Sequence, residues 1–224
     1  IVNADDPLLP GAIEAGVMAL EGDPRALAAY PDWVEIDPAG NVTRTLRLPD
    51  YDLGVMLLGF DVAVGPGVFL RRASLEQVGK RNSSLRYTGD LDYWFRVAML
   101  GGLRHIPKVL ATHRVHPQAA SSAAQGNVMA AEVLRLVNVA IDSPDLPRDL
   151  WRYRYRIRSK AHSVASHYCG ADATARARHE RLARWYRYGA SLHGRLTGLS
   201  RPRPSPAPQV EQVEEAKHYN AMYA

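Results

Sequence analysis

The segment over residues 87–96 constrains the fold more than any other stretch, because it places two carboxylates at the start of an amphipathic helix. Apolar residues at positions 91, 94, 95 and 98 recur at helical spacing, and Gly101-Gly102 ends the run. We predict a helix with Asp90 as its N-cap and Asp92 in its first turn. Capping and opposing the helix dipole, worth about 1 kcal/mol or less each, would explain both carboxylates. A carboxylate at such a junction is also fixed by the helix and open to a cleft.

A second acidic pair, Asp5-Asp6, precedes another predicted helix, whose apolar stripe runs over residues 9–20 and ends at Gly22. Pro7 occupies the position of a first helical residue, so Asp6 is predicted to be the N-cap. The pair could also hold a metal ion, since one carboxylate can cap the helix while its neighbour turns to a cleft. The residues alone leave both roles open.

The rest of the first half predicts a mixed α/β pattern. Residues 26–36 and 42–48 predict a hairpin, because the intervening residues 37–41 favour a turn. Residues 52–59 and 71–79 predict short helices, and residues 62–70 predict a strand interrupted by Gly65-Pro66-Gly67. That interruption suits a bulged strand or the close approach of a ligand. Residues 103–106 and 109–115 predict strands broken by Pro107.

His116 follows the last of these strands and precedes a proline. A histidine in this position is most often solvated or part of a turn. Its neutral ring nitrogen could instead bind a metal ion, and its protonated ring could bond to a diphosphate. The pattern itself does not choose among these three roles.

Three signatures in this order, Asp5-Asp6, residues 89–96 and Arg114-Val115-His116, together resemble the family 2 glycosyltransferases of the GT-A fold. The resemblance covers about residues 1–118. It implies an α/β fold, a partial GT-A (Rossmann-like) mixed sheet followed by a C-terminal helical region. The site residues that it implies are Asp90 as catalytic base, Asp5, Asp6 and His116 as ligands of Mn²⁺ or Mg²⁺, and Asp5, Asp6, Gly67, Arg114 and His116 as contacts of the sugar nucleotide.

The resemblance further implies an inverting, metal-dependent transfer of a sugar from a nucleotide-diphosphate donor, a UDP-sugar, to a hydroxyl of a glycan or lipid-linked acceptor. Such chemistry would serve bacterial cell-wall or polysaccharide synthesis. The βα units with which the family binds the nucleotide base have no counterpart before Asp5-Asp6. We therefore expect an N-terminally incomplete domain. Two alternatives stay open: a non-catalytic remnant or interaction module whose acidic pairs are helix caps, and a basic helical protein that binds RNA or a membrane surface.

The second half of the chain differs in charge. Residues 151–203 contain 13 Lys and Arg against 2 Asp and Glu, whereas residues 1–150 contain 14 against 18. Apolar spacing over residues 130–141, 150–168 and 182–196 predicts three helices. Interleaved arginines and aromatics would suit nucleic acid or an anionic membrane surface. The simpler interpretation places the aromatics in the core and the arginines in solvent, so nucleic acid is not the expected partner.

Composition indicates the cellular compartment and the division of the chain into domains. No run of about 18 apolar residues exists that could span a membrane. The single cysteine, Cys169, can form no internal disulfide, which fits a reducing compartment. We therefore expect a cytoplasmic protein that can contact the inner face of the membrane through residues 151–203. The predicted parts are a partial GT-A domain (1–118), a helical region (119–200), and a proline-rich linker with a disordered tail (201–224).

Overall fold

The computed structural model describes residues 3–60, 64–116, 126–170, 172–199 and 209–218, of which residues 212–218 are described for the backbone alone. Over these residues the protein is mixed α/β, with a small, largely antiparallel sheet and several helices. In chain order the elements are α1 (Ala12–Gly22), β1 (Ala26–Ile36), β2 (Asn41–Arg47), α2 (Leu53–Gly59), β3 (Phe69–Leu70), α3 (Arg72–Val78), α4 (Gly89–Leu100), β4 (Gly102–Arg114), α5 (Asn127–Asp142), α6 (Arg148–Trp151), α7 (Arg154–Tyr168), α8 (Ala173–Thr197) and β5 (Gln209–His218).

The central strand of the sheet is β1. It pairs antiparallel with β3 near its start and with β2 near its end, while β4 runs parallel along its other side. Every residue of β1 except Trp33 is buried, as expected for a strand covered on both faces. Its two buried carboxylates are each paired, Asp32 with His105 and Arg47, and Glu35 with Arg44.

The local predictions for the hairpin and the short helices are confirmed. Asp37 accepts hydrogen bonds from the backbone and side-chain amides of Asn41, and Gly40 supplies the positive φ of 92° that the turn needs. Asp52 caps α2 by accepting the Val55 N–H at 2.9 Å. Gly79 ends α3 with a φ of 78°. These features depend on neighbouring residues, which is why sequence patterns detect them.

Two strand predictions were wrong. Pro107 does not break β4, because the pairing with β1 shifts register between Pro31 and Asp32, where the missing proline N–H interrupts no regular ladder. The strand predicted over residues 62–70 is confined to β3 among the described residues, and residues 61–63 lie outside them. Gly67 has a φ of 77°, and a Cβ there would lie 2.6 Å from the Ala111 Cβ, so the chain bends and packs closely at this point.

The predicted N-caps were also wrong. The N-cap of α1 is Gly11, so Asp6 does not cap this helix. Instead the chain before α1 is bonded to β4, where the Leu9 N–H donates to the Leu110 carbonyl at 2.9 Å. The N-cap of α4 is Thr88, and Asp90 lies inside the first turn with Asp92. Long-range bonds displaced both helix starts, and such bonds are not visible in local patterns.

The C-terminal part is helical as predicted, but one of the predicted helices is divided into two and another is longer than predicted. Residues 150–168 form α6 and α7 in place of one helix, and α8 begins nine residues before its apolar stripe, at Ala173. The Ser159 hydroxyl on α7 donates to the Ala183 carbonyl on α8 at 2.8 Å, which ties the two helices together. None of the helices in the described residues is both long and apolar enough to cross a bilayer.

The predicted disordered tail is wrong over residues 209–218, which form β5 and pair antiparallel with β2. Without β5 the outer edge of β2 would have unpaired N–H and C=O groups. The predicted proline-rich linker, residues 201–208, lies outside the described residues.

Candidate functional site

A cleft of about 320 Å³ lies where the N-terminal segment, the sheet and the start of α4 meet. It combines carboxylates, cations and aromatic rings, the mixture of a few polar groups within an apolar surface that is usual in ligand sites. The polar and aromatic lining residues are Asn3, Asp6, Trp33, Arg81, Asp90, Tyr93, Trp94 and His113, and Gly65 and Pro66 form part of the wall. The structure thus brings two predicted site residues, Asp6 and Asp90, to one cleft.

Asp6 is only 4% exposed and is held by three neighbours. Its Oδ1 accepts the Arg114 backbone N–H at 2.7 Å and lies 3.7 Å from the His113 Nδ1, and its Oδ2 accepts the Asn3 amide at 2.7 Å. Burial alone would raise the pKa of Asp6, but the contact with His113 and the hydrogen bonds from Asn3 and Arg114 hold it below its usual value. The buried carboxylate therefore stays ionised and joins the N-terminal segment to the end of β4.

His113 is the partner that sequence reasoning missed. Its close polar contact with Asp6 raises the pKa of the imidazole against the opposing effect of burial, and the charges of Asp6, Glu35 and Asp5 act in the same direction. Its ring packs edge-on against Trp33 with 5.5 Å between centroids. The cleft wall therefore contains a histidine whose surroundings favour its protonated form. Only one feature of the sequence could have identified His113: it lies on β4, one residue before the predicted Arg114.

Asp5 and His116 form a second acidic and imidazole pair. The Asp5 Oδ2 lies 3.4 Å from the His116 Nε2, and about half of the Asp5 side chain is exposed. Both are ligand types that bind divalent cations, and Mg²⁺ is often held by one or two protein ligands with water and substrate phosphates completing its shell. No group of three or more such ligands occurs in the part of the chain that the structure describes. The pair therefore fits a cation shared with a substrate phosphate.

Asp90 lies at the cleft with an exposed side chain, and its Oδ1 accepts the Leu91 N–H at 2.8 Å. Its neighbour Asp92 is buried and pairs with Arg96 at 2.8 Å. Arg96 also donates to the Val78 carbonyl at 2.6 Å, which ties α4 to the end of α3. The two carboxylates of this segment thus divide into one that faces the cleft and one that holds the helix in place.

The loop before Asp90 is fixed by a residue from α5 that sequence reasoning also missed. Glu132 is buried and accepts the backbone N–H groups of Arg86, Tyr87 and Thr88 at 2.7, 2.9 and 3.0 Å. Burial tends to raise its pKa, but these bonds lower it overall. The feature of the sequence that could have identified Glu132 is that it is a lone carboxylate within the apolar part of α5. Glu132 therefore positions the start of α4, and with it Asp90.

No family model matches the chain, and no curated protein is significantly similar to it. The functional assignment therefore depends on the geometry of the cleft and on the sequence signatures.

Four of the predicted contacts are not among the residues that line the cleft: Asp5, Gly67, Arg114 and His116. The Arg114 guanidinium donates to the carbonyls of Asp37 and Pro38 at 2.8 and 3.0 Å and to that of Asp5 at 3.2 Å. These bonds join the β1–β2 turn to the acidic segment. Arg114 thus supports the acidic segment, while Arg81 is an arginine that lines the cleft.

Two buried polar atoms in residues lining the cleft have no hydrogen-bond partner among the described residues: the Trp33 Nε1 and the Tyr93 Oη. Burial raises the pKa of Tyr93, against the smaller lowering effect of Arg96, so its hydroxyl stays protonated. A Cβ at Gly65 would lie 2.5 Å from the Trp33 Nε1, so only glycine leaves room beside the indole. Buried polar groups usually have partners, so a ligand hydroxyl is a natural complement to both atoms.

Proposed function

We propose that the chain is an inverting glycosyltransferase with a GT-A-like domain. It would transfer a sugar from a nucleotide diphosphate, a UDP-sugar, to a hydroxyl of a glycan or lipid-linked acceptor. One observation supports this most directly: Asp6 and Asp90, from the two acidic segments that the resemblance assigns to one active site, line one cleft. They are far apart in the chain.

Asp90 would act as the general base. Its exposed carboxylate takes the proton of the acceptor hydroxyl while that oxygen attacks the anomeric carbon of the donor sugar. The new C–O bond forms as the bond to the diphosphate breaks, and the diphosphate leaves with the electron pair. Because no protein atom bonds to the sugar, a single displacement inverts the anomeric centre.

Arg81 and His113, whose raised pKa favours its protonated form, would offset the charge that develops on the leaving diphosphate. Asp5 and His116 would be the residues to hold Mg²⁺ or Mn²⁺, which would supply further positive charge to a diphosphate. The oxygens of Asp6 are already occupied by Arg114, Asn3 and the neighbouring His113. We therefore assign Asp6 to keep His113 protonated and in place, in contrast to the metal contact that its sequence position predicts.

The aromatic wall would bind the sugars. Trp33, Tyr93 and Trp94 offer ring surface, and the unpartnered Trp33 Nε1 and Tyr93 Oη can bond to sugar hydroxyls. The remote binding energy of such contacts orients the acceptor hydroxyl toward Asp90. This arrangement favours a carbohydrate over an apolar acceptor portion at the cleft itself.

The proposal is tested by measuring UDP release from a panel of UDP-sugars with Mn²⁺ and carbohydrate acceptors, using the whole chain and Asp90→Asn. We expect turnover to fall by roughly 10²- to 10⁴-fold in the variant, because a general base contributes about that factor. Calorimetric binding of the donor should be unchanged. Glu76→Gln, an exposed carboxylate on α3, is the matched control.

Retained turnover in Asp90→Asn would remove Asp90 from the mechanism. Absence of any UDP or UDP-sugar binding, with and without Mn²⁺, would contradict the enzymatic proposal. That result would favour the non-catalytic interaction module, in which the acidic residues serve the fold alone.

A further inference from the structure

The outer face of α8 carries a stripe of apolar side chains. Trp185, Tyr188, Leu192 and Leu196 are 64%, 72%, 48% and 77% exposed. Their spacing of three and four residues places them on one face of the helix. Ala183 and Ala190, on the opposite face, are buried. The stripe is therefore not part of the core, and a contiguous exposed apolar surface of this kind marks an interaction site.

A basic groove lies beside this stripe, between α7 and α8, with a volume of about 810 Å³. Tyr188 belongs to both surfaces, so the groove and the stripe are continuous. The groove is lined by four cations, Arg156, Lys160, Arg184 and Arg187, and by the hydroxyls of Ser163, Ser191 and Tyr188, while the Ser159 hydroxyl is bonded to Ala183. No Asp or Glu is among its lining residues.

The four cations of the groove form no ion pair with a carboxylate anywhere in the described ranges. Arg156 and Lys160 are one helical turn apart on α7, and like charges at this spacing repel each other. The surrounding segment has few acidic residues that could relieve the repulsion. A bound anion would therefore stabilise this surface, and phosphate suits a mixture of guanidinium and hydroxyl donors.

We propose that α7 and α8 form a docking surface for an anionic phospholipid membrane, with the apolar stripe in the interface and the groove on lipid phosphates. An interfacial helix combines Trp and Leu on one side with Arg and Lys beside them, which is the arrangement observed here. A nucleic acid would match the groove but leave Leu192 and Leu196 exposed to water. The proposal stands independently of the glycosyltransferase assignment, because it uses none of the cleft residues.

Co-sedimentation of the whole chain with vesicles tests this docking. One set of vesicles is phosphatidylcholine alone, and the other contains phosphatidylglycerol as well. We expect binding to the mixed vesicles only, weakening as salt is added, because the attraction between exposed cations and an anionic surface is screened. Equal binding to both sets, or binding to neither, would overturn the proposal.

A groove variant, Lys160→Gln with Arg184→Gln and Arg187→Gln, should partition onto the mixed vesicles roughly tenfold to a hundredfold less, given the contribution of each cation near a membrane. The matched control is Arg72→Gln with Arg104→Gln and Lys108→Gln, which removes the same charge from the sheet region. We expect the control to bind as the unchanged chain does. If both variants lost the same amount of vesicle binding, net charge alone would explain the loss and the proposed site would be wrong.

Fluorescence tests the stripe separately. The emission of Trp185 should shift to shorter wavelength on the mixed vesicles, so Trp185→Phe should lose the shift while Trp151→Phe keeps it. Leu192→Ser with Leu196→Ser should weaken binding without changing the far-ultraviolet circular dichroism, because both side chains are exposed. Unchanged binding in this variant, or tighter binding of single-stranded RNA than of mixed vesicles, would contradict membrane docking.

Discussion

The sheet region, residues 3–116, and the helical region, residues 126–199, use charge in opposite ways. In the sheet region the buried carboxylates Asp6, Asp32, Glu35 and Asp92 each lie beside a cation. In the helical region, arginines and lysines gather along one groove with no carboxylate among its lining residues. A buried charge costs several kcal/mol unless it is paired, whereas an exposed one costs little. The first region therefore uses its charges to hold itself together, and the second offers its charges to an external anion.

Glu132 is the exception that connects the two regions. It belongs to a helix of the second region, yet it is buried and binds three backbone N–H groups of the first. The partial positive charge of these amides replaces the cation that the other buried carboxylates have. The position of Asp90 at the cleft therefore depends on the helical region as well as on the sheet.

The largest expected effect tests this connection. Glu132→Ala removes the buried acceptor of three N–H groups, of which the Thr88 N–H is itself buried, so we expect a loss of about 2–4 kcal/mol in the free energy of unfolding. Urea denaturation measures it. Glu180→Ala, at an exposed position of α8, is the control and should change stability little. Equal effects in the two variants would mean that Glu132 does not join the two regions.

The next prediction, with a smaller expected loss of stability, distinguishes the roles of Asp6 and Asp5. Asp6→Ala should cost about 1–3 kcal/mol, because Asn3 and Arg114 lose a buried charged acceptor. The pKa of His113 should fall toward its ordinary value in this variant, which an NMR titration would show. Asp5→Ala, at a half-exposed position, should cost about 0.5 kcal/mol or less.

If Asp5→Ala proved as destabilising as Asp6→Ala, the proposed division between a supporting and a ligand-binding carboxylate would be wrong. The same would follow if the His113 titration stayed unchanged in Asp6→Ala.

The last prediction concerns the stability of the helical region in acid. In the helical region the Nδ1 atoms of His162 and His179 lie 3.0 Å apart, and His162 stacks on Tyr186. Burial, and then the charges of His179 and Arg178, lowers the pKa of His162 from 6.5 to about 4. Its neutral form is the folded one, so the stability it contributes is present above pH 6.5 and is lost as the pH falls toward 4.

We therefore expect the helical region to lose on the order of 1–2 kcal/mol over this range, while Asp6 and Glu132, whose pKa values are lowered, keep their contributions to lower pH. Helix circular dichroism against urea at a series of pH values measures the loss. His162→Phe, which retains a ring against Tyr186, should remove it. An unchanged acid dependence in this variant would exclude His162 as the cause.

The site was predictable in part. The signatures identified Asp90 and Asp6, because acidic residues next to helix starts are conspicuous in a sequence. They did not identify His113, Arg81 or Glu132. The first two line the cleft only because a strand and a loop pass beside it, and the third acts across the boundary between two regions. Nothing in their own neighbourhoods distinguishes them.

By itself, the sequence determined what short-range physics controls. The Asp37–Asn41 turn, the Asp52 cap and the excess of arginine in residues 151–203 all follow from adjacent residues or from composition. Only the tertiary structure decided that Asp6 binds the end of β4 instead of capping α1, and that β5 pairs with β2. The reason is that such bonds join segments far apart in the chain, where their formation depends on strand register and burial, and the same residues in isolation would favour the local alternative.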